Sequence, residues 1–167
     1  MNGKRASHLK APIPGFPKLL DAVQQALGPN RLPLLIGIDG RWGSGKSGTA
    51  AWLSWQLGMP FVALDLYMVQ GSDPLEWRYE DLMRVLDSQE RINCTVIVEG
   101  ICLLKVLQMI ARKPELLVWT ENKGGPSCSP HEPTLEYIRE FDPAGCADHR
   151  LVWDEGDLSA SGMALQP

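Results

Sequence analysis

Leu34-Leu-Ile-Gly-Ile-Asp-Gly-Arg-Trp-Gly-Ser-Gly-Lys-Ser47 joins two unlike textures in a few residues. Residues 34–39 form a short apolar run, which suits a strand buried on both faces. Gly40, Gly43 and Gly45 then concentrate backbone freedom at the C-terminal mouth of that strand. Lys46–Leu57 reads as a helix, stopped by Gly58 and Pro60. Strand, glycine-rich turn and helix are the context in which G-x-x-x-x-G-K-[ST], matched by residues 40–47, cradles phosphate.

Each residue type in that pattern has a task. Glycines let successive backbone N–H groups converge on an anion without Cβ obstruction. The helix N-terminus adds partial positive charge. The expected cradle for a nucleoside triphosphate is Gly40, Arg41, Trp42, Gly43, Ser44, Gly45, Lys46, Ser47 and Gly48. Lys46 is expected to reach the β- and γ-phosphates and the Ser47 hydroxyl to ligate Mg²⁺. Trp42 adds bulk where the loop turns and is a candidate cover for phosphate or a nucleotide ring. The plain alternative is a tight strand-to-helix turn with an incidental lysine.

Outward from the loop, strands and helices alternate. Residues 16–27 place Phe16, Leu19, Leu20, Val23 and Leu27 on one helical face, and Gly28-Pro29-Asn30 ends it. Residues 61–65 read as a second strand, 67–73 as a loop and 74–87 as a helix. A β-branched strand over 94–99 ends in Glu99, followed by a helix over 101–112 and a strand over 115–120. Residues 122–133 are rich in Gly, Ser and Pro and read as a loop. A helix over 134–141 and a fifth strand over 149–153 complete the series. Such alternation implies a doubly wound parallel sheet covered on both faces. The expected organisation is a flexible lead-in over 1–15, one domain over 16–154 and a tail over 155–167.

Composition narrows the partners. The chain has 167 residues, 44% hydrophobic and 22% charged, as in a soluble globular domain. Its formal net charge of -4 argues against a general nucleic-acid binder but permits a local anion site. No apolar run approaches the ~20 residues of a membrane span. Cys94, Cys102, Cys128 and Cys146 contain no C-x-x-C pair, which favours free thiols and a cytoplasmic location. His131 and His149 stand at no zinc-finger spacing. Oligomeric state is not written in the sequence.

The segments IGIDGRWGSGKS (36–47), LDLY (64–67) and VIVEGICLL (96–104) resemble the uridine kinase and phosphoribulokinase-like branch of P-loop kinases. A weaker echo runs through EYIREFDPAGCADHRLVW (136–153). The resemblance implies a three-layer P-loop NTPase sandwich with a five-stranded parallel sheet. It also implies ATP and Mg²⁺ as nucleotide and metal, and a hydroxyl-bearing small molecule as acceptor. In that branch an acid closing the second strand takes the acceptor's proton, a role that falls here to Asp65. LDLY is one residue short of the branch's D-x-F-Y or D-D-x-Y pattern, and Asp65 as a simple strand-end cap is the alternative.

Glu99 corresponds to the Glu-Gly step that assists metal or acceptor, against the plain reading of a strand end meeting solvent. Tyr67 and Arg78 lie beside the implied acceptor site, though Arg78 reads equally well as a surface charge. The branch carries an arginine-bearing lid after the fourth strand. In this chain that region, 122–133, has Lys123 as its only lysine or arginine, with Arg139 following and Arg112 and Lys113 preceding the strand. Two further readings stand beside a kinase: a nucleotide-binding regulatory module, and an NTPase acting on water. GTP is disfavoured because no N/T-K-x-D segment is present.

Overall fold

The computed structural model describes residues 13–123 and 132–154. The tail over 155–167, most of the lead-in over 1–15, and residues 124–131 of the lid-like segment lie outside them.

Helix α1 (Phe16–Leu27) leads into β1 (Leu35–Gly40), the glycine-rich loop and α2 (Lys46–Leu57). Then come β2 (Phe61–Ala63), a 3-10 turn over Leu64–Tyr67, α3 (Tyr79–Arg91), β3 (Val96–Gly100) and α4 (Leu103–Met109). β4 (Leu116–Asn122), α5 (Glu132–Phe141), the short α6 (Pro143–Cys146) and β5 (His149–Trp153) follow. The strands form one five-stranded sheet in the order β2-β3-β1-β4-β5, with every neighbouring pair parallel.

The alternation of side chains across a strand divides the core into two layers. Ile36 and Ile38 of β1 and Ile97 of β3 pack with Phe16, Leu19 and Val23 of α1 and with Ala50 and Leu53 of α2. Val96 and Val98 face the other way, onto Leu82 and Leu86 of α3, Leu103, Val106 and Leu107 of α4, and Tyr137 of α5. Each Leu or Ile fully buried in this way is worth roughly 1.5–3 kcal/mol. Gly37 faces the α4 layer, where a Cβ would lie 2.8 Å from Leu103 Cδ2 and 3.2 Å from Pro114 Cβ, so the packing there would have to shift. Apolar packing of α2 thus holds the helix at its flank and leaves its N-terminus free for polar work.

Several boundaries differ from the sequence expectation. The second strand stops at Ala63, and Asp65 falls in the 3-10 turn rather than at a strand end. The expected helix over 74–87 begins only at Tyr79. Before it, Trp77 pairs with Met68 across an antiparallel bridge. Val69 N–H donates to Glu76 O at 2.9 Å and Arg78 N–H to Tyr67 O at 2.8 Å, bonds that a helix would not make. β3 begins at Val96, and just before it Thr95 Oγ1 donates to Leu32 O and accepts from Leu34 N–H, both at 3.1 Å. α4 is shorter than 101–112, entered through Cys102 at φ 54° and left before Ala111 at φ 54°. β4 runs on to Asn122, which pairs with Trp153.

Candidate active site

The 40–47 loop opens from the C-terminal end of the central strand, where a parallel sheet presents its binding crevice. Two of its glycines are obligatory on different grounds. A Cβ on Gly40 would lie 2.5 Å from Ser44 Oγ and from both Thr120 O and Thr120 Oγ1. Gly45 has φ 87° and faces the Trp153 ring, 3.1 Å from a hypothetical Cβ. Gly43 is also left-handed, at φ 70°. Gly48 has nothing within 4 Å of such a Cβ.

The loop is pinned from outside its concavity. Trp153 Nε1–H donates to Ser44 O at 2.9 Å, and the Ser44 and Thr120 hydroxyls are hydrogen-bonded at 2.8 Å. Thr120 Oγ1 also donates to Asp39 O at 3.2 Å, and Thr49 Oγ1 to Gly45 O at 2.8 Å. Asn122 Nδ2 reaches Gly43 O at 3.4 Å. The first amides of α2, at Lys46 and Ser47, are of the kind a helix leaves without intrahelical acceptors. The loop is therefore braced by bonds from β4, β5 and α2.

Lys46 is only 8% exposed, and its Nζ donates to Arg41 O at 2.7 Å across the loop. Burial pushes its pKa down, while Glu99, Asp39 and Asp65 oppose that by favouring the ammonium. Ser47 Oγ–H donates to Glu99 Oε1 at 3.0 Å. Glu99 is buried in β3, paired in register with Ile38 of β1. Burial raises its pKa, and the Ser47 hydrogen bond and the Lys46 charge lower it. A hydroxyl and a carboxylate held together are hard oxygen donors of the kind Mg²⁺ takes, so the residues fit that metal.

Asp65 is exposed on its 3-10 turn, and its charge is felt by both Lys46 and Glu99. Lys46, Ser47, Glu99 and Asp65 thus come together. Tyr67 carries the Arg78 guanidinium over its ring, 5.9 Å from the centroid. Arg78 Nη2 donates to Leu66 O at 2.6 Å, and Nη1 lies 3.5 Å from Asp81. Arg78 therefore fastens the turn bearing Asp65 to the start of α3. Arg41 and Trp42 are exposed on the loop, and Arg139 is exposed on α5. Lys123 N–H donates to Trp153 O. Arg112 pairs with Asp87 at 2.6 Å and Glu90 at 2.7 Å and ties α3 to the connection between α4 and β4 instead.

Four contributors were not singled out from sequence: Asp39, Thr120, Tyr137 and Trp153. Asp39 is 1% exposed, accepts Gly40 N–H at 2.7 Å through Oδ1 and accepts the Tyr137 hydroxyl through Oδ2. Burial, partly offset by those bonds and by Lys46, raises its pKa to about 7. An acid closing an apolar strand was the available signal. Cys102 is buried nearby, and that burial lifts its thiol to about 11.

Compared with models of known families and with curated proteins, the chain matches none. Among solved structures, a possible uridine kinase from Bacillus stearothermophilus superposes with a TM-score of 0.54 at 17% identity. The match covers 81% of this chain and 96% of that one. A shikimate kinase from Bacteroides thetaiotaomicron gives a TM-score of 0.39 at 15% identity, covering 80% and 96%. With the parallel sheet and the loop geometry, the first likeness establishes an α/β P-loop NTPase fold.

Proposed function

We propose that this chain is an ATP-dependent phosphotransferase that moves the γ-phosphoryl group to a hydroxyl of a nucleoside or similar small molecule. The observation that carries the reading is the convergence of Lys46, the Ser47–Glu99 pair and Asp65 at the mouth of the glycine-rich loop. Catalysis of phosphoryl transfer is mainly positioning and charge stabilisation, and these groups supply both.

In this reading the backbone amides of residues 40–48 and the Lys46 ammonium bind the triphosphate. Lys46 Nζ exchanges its bond to Arg41 O for phosphate oxygens, which keeps the donor satisfied throughout. Ser47 and Glu99 would hold Mg²⁺, which when bound neutralises charge on the β- and γ-oxygens. Asp65 orients the acceptor hydroxyl and takes its proton as the oxygen attacks phosphorus. Tyr67 borders the acceptor, and Arg78 secures the turn that presents Asp65.

One observation favours a second reading, a nucleotide-binding module with little transfer. Arg78 is engaged by Leu66 O and Asp81, and Lys46 is the cation whose field reaches Glu99 among the described residues. Incubation with ATP, Mg²⁺ and a panel of nucleosides and small alcohols separates the possibilities. Acceptor-dependent ADP release supports the kinase. Release indifferent to acceptor indicates an NTPase, and binding without release indicates the module.

A further inference from the structure

A buried polar chain runs behind the phosphate loop and belongs to none of the roles above. It starts at the Gly40 amide, which donates to Asp39 Oδ1 at 2.7 Å. Asp39 Oδ2 accepts the Tyr137 hydroxyl proton, and the Tyr137 oxygen accepts Leu104 N–H at 3.2 Å. Asp39 is 1% exposed and Tyr137 is 2% exposed, so both sit in the apolar interior.

The three anchored points are the parts that must keep register for phosphate chemistry. Gly40 is the first residue of the cradle. Leu104 lies in the first turn of α4, five residues beyond Glu99. Tyr137 lies on α5, which follows the segment after β4. The link spans 98 residues of sequence between Asp39 and Tyr137, and 33 between Leu104 and Tyr137. Tyr137 also stacks at 5.2 Å on Phe141, which fixes the ring from its own helix.

Burying a carboxyl here is unfavourable, as its raised pKa records, and an apolar side chain would pack at lower cost. What the polar pair adds is direction, because hydrogen bonds fix where the Gly40 amide and α5 sit and dispersion contacts do not. We propose that Asp39 and Tyr137 are positioning residues that hold α5 and the N-terminus of α4 in register with the phosphate loop, so that the cradle is preorganised for a triphosphate. This rests on the P-loop nucleotide reading given above.

The test is calorimetric titration of an unhydrolysable ATP analogue with Mg²⁺ into the full chain and into Tyr137→Phe, Asp39→Asn and the double variant. Denaturation midpoints are recorded in parallel. Loss of a buried hydrogen bond to a carboxylate, felt at the loop, should weaken binding about tenfold in each single variant. Because the pair acts as one unit, the double variant should lose about as much as either single one, not the product of the two. Lower midpoints with unchanged affinity would make the pair merely structural and overturn the proposal. Failure of both single variants to fold would do the same. Lys46→Ala separates this from the nucleotide reading: if it also binds normally, the P-loop assignment itself falls. If it loses binding while Tyr137→Phe retains it, only the positioning role is lost.

Discussion

The Ser47 hydroxyl donates to Glu99 Oε1 across 3.0 Å, tying the first turn of α2 to the strand beside β1. The bond aims a hydroxyl and a carboxylate oxygen at the same small volume. Glu99→Gln keeps shape and hydrogen bonding but removes the charge. It should raise the Mg²⁺ concentration needed for half-maximal nucleotide binding about tenfold or more, the scale for disturbing a metal's immediate support. Titration of Mg²⁺ at fixed nucleotide checks this, and an unchanged requirement would take Glu99 out of the metal site.

Asp65→Asn should leave ATP binding intact and cut transfer by about 10² or more, the usual effect of losing a positioned base. Asp65 is exposed, so the substitution carries little stability cost and folding does not confuse the result. Rates and calorimetry on the same preparation check both halves. Transfer at the normal rate would assign the proton to another group.

Gly40→Ala and Gly48→Ala form a contrasting pair. The first places a methyl 2.5 Å from Ser44 and Thr120, where both loop and strand would have to shift. Overpacking of that kind costs about 1–3 kcal/mol or more, and nucleotide binding should fail with it. The second adds a methyl to an open helical position, which should stabilise α2 by about 0.5–1 kcal/mol. Urea denaturation of the two variants reads both signs.

The raised pKa of Asp39 fixes a dependence of stability on pH. Its folded value is about 7 against an ordinary 3.8, so between those limits the folded state holds a proton that the unfolded state has released. Stability from this group therefore falls as pH rises, by about 1.4 kcal/mol per unit across that window, and levels off above it. Tyr137, Gly40 and Lys46 face the carboxyl, and all three stabilise its charged form. Asp39→Asn removes the titration. The difference in stability between native chain and variant should shift steadily from about pH 4 to 7 and then stay constant, as measured by urea denaturation at several pH values. A difference independent of pH would mean that Asp39 titrates as an ordinary exposed acid.

The parts of the fold readable in sequence are those whose cause is local. Gly28 and Gly58 stop α1 and α2 where expected, both at positive φ, and β5 has the boundaries its residues suggest. The glycine-rich loop was readable because its spacing encodes its own geometry. The hairpin-like pairing of Met68 with Trp77 was not, since apolar spacing over 74–87 also satisfies a helix and only a backbone partner elsewhere decides against it. The partnerships of Asp39, Thr120 and Trp153 escaped for the same reason. Their partners lie 98, 81 and 109 residues away, and side-chain bonds of that range leave no local pattern.

Transfer, as distinct from binding or hydrolysis, is the central claim, and the fate of the γ-phosphoryl group tests it most directly. The chain is incubated with Mg²⁺ and ATP labelled at the γ-phosphorus, with and without a mixture of nucleosides and small alcohols, and the labelled products are separated. The reading predicts label on an acceptor hydroxyl in step with ADP formation, abolished by Lys46→Ala and strongly reduced by Asp65→Asn. Label recovered entirely as inorganic phosphate at a rate indifferent to the acceptors, or remaining in ATP, would contradict it.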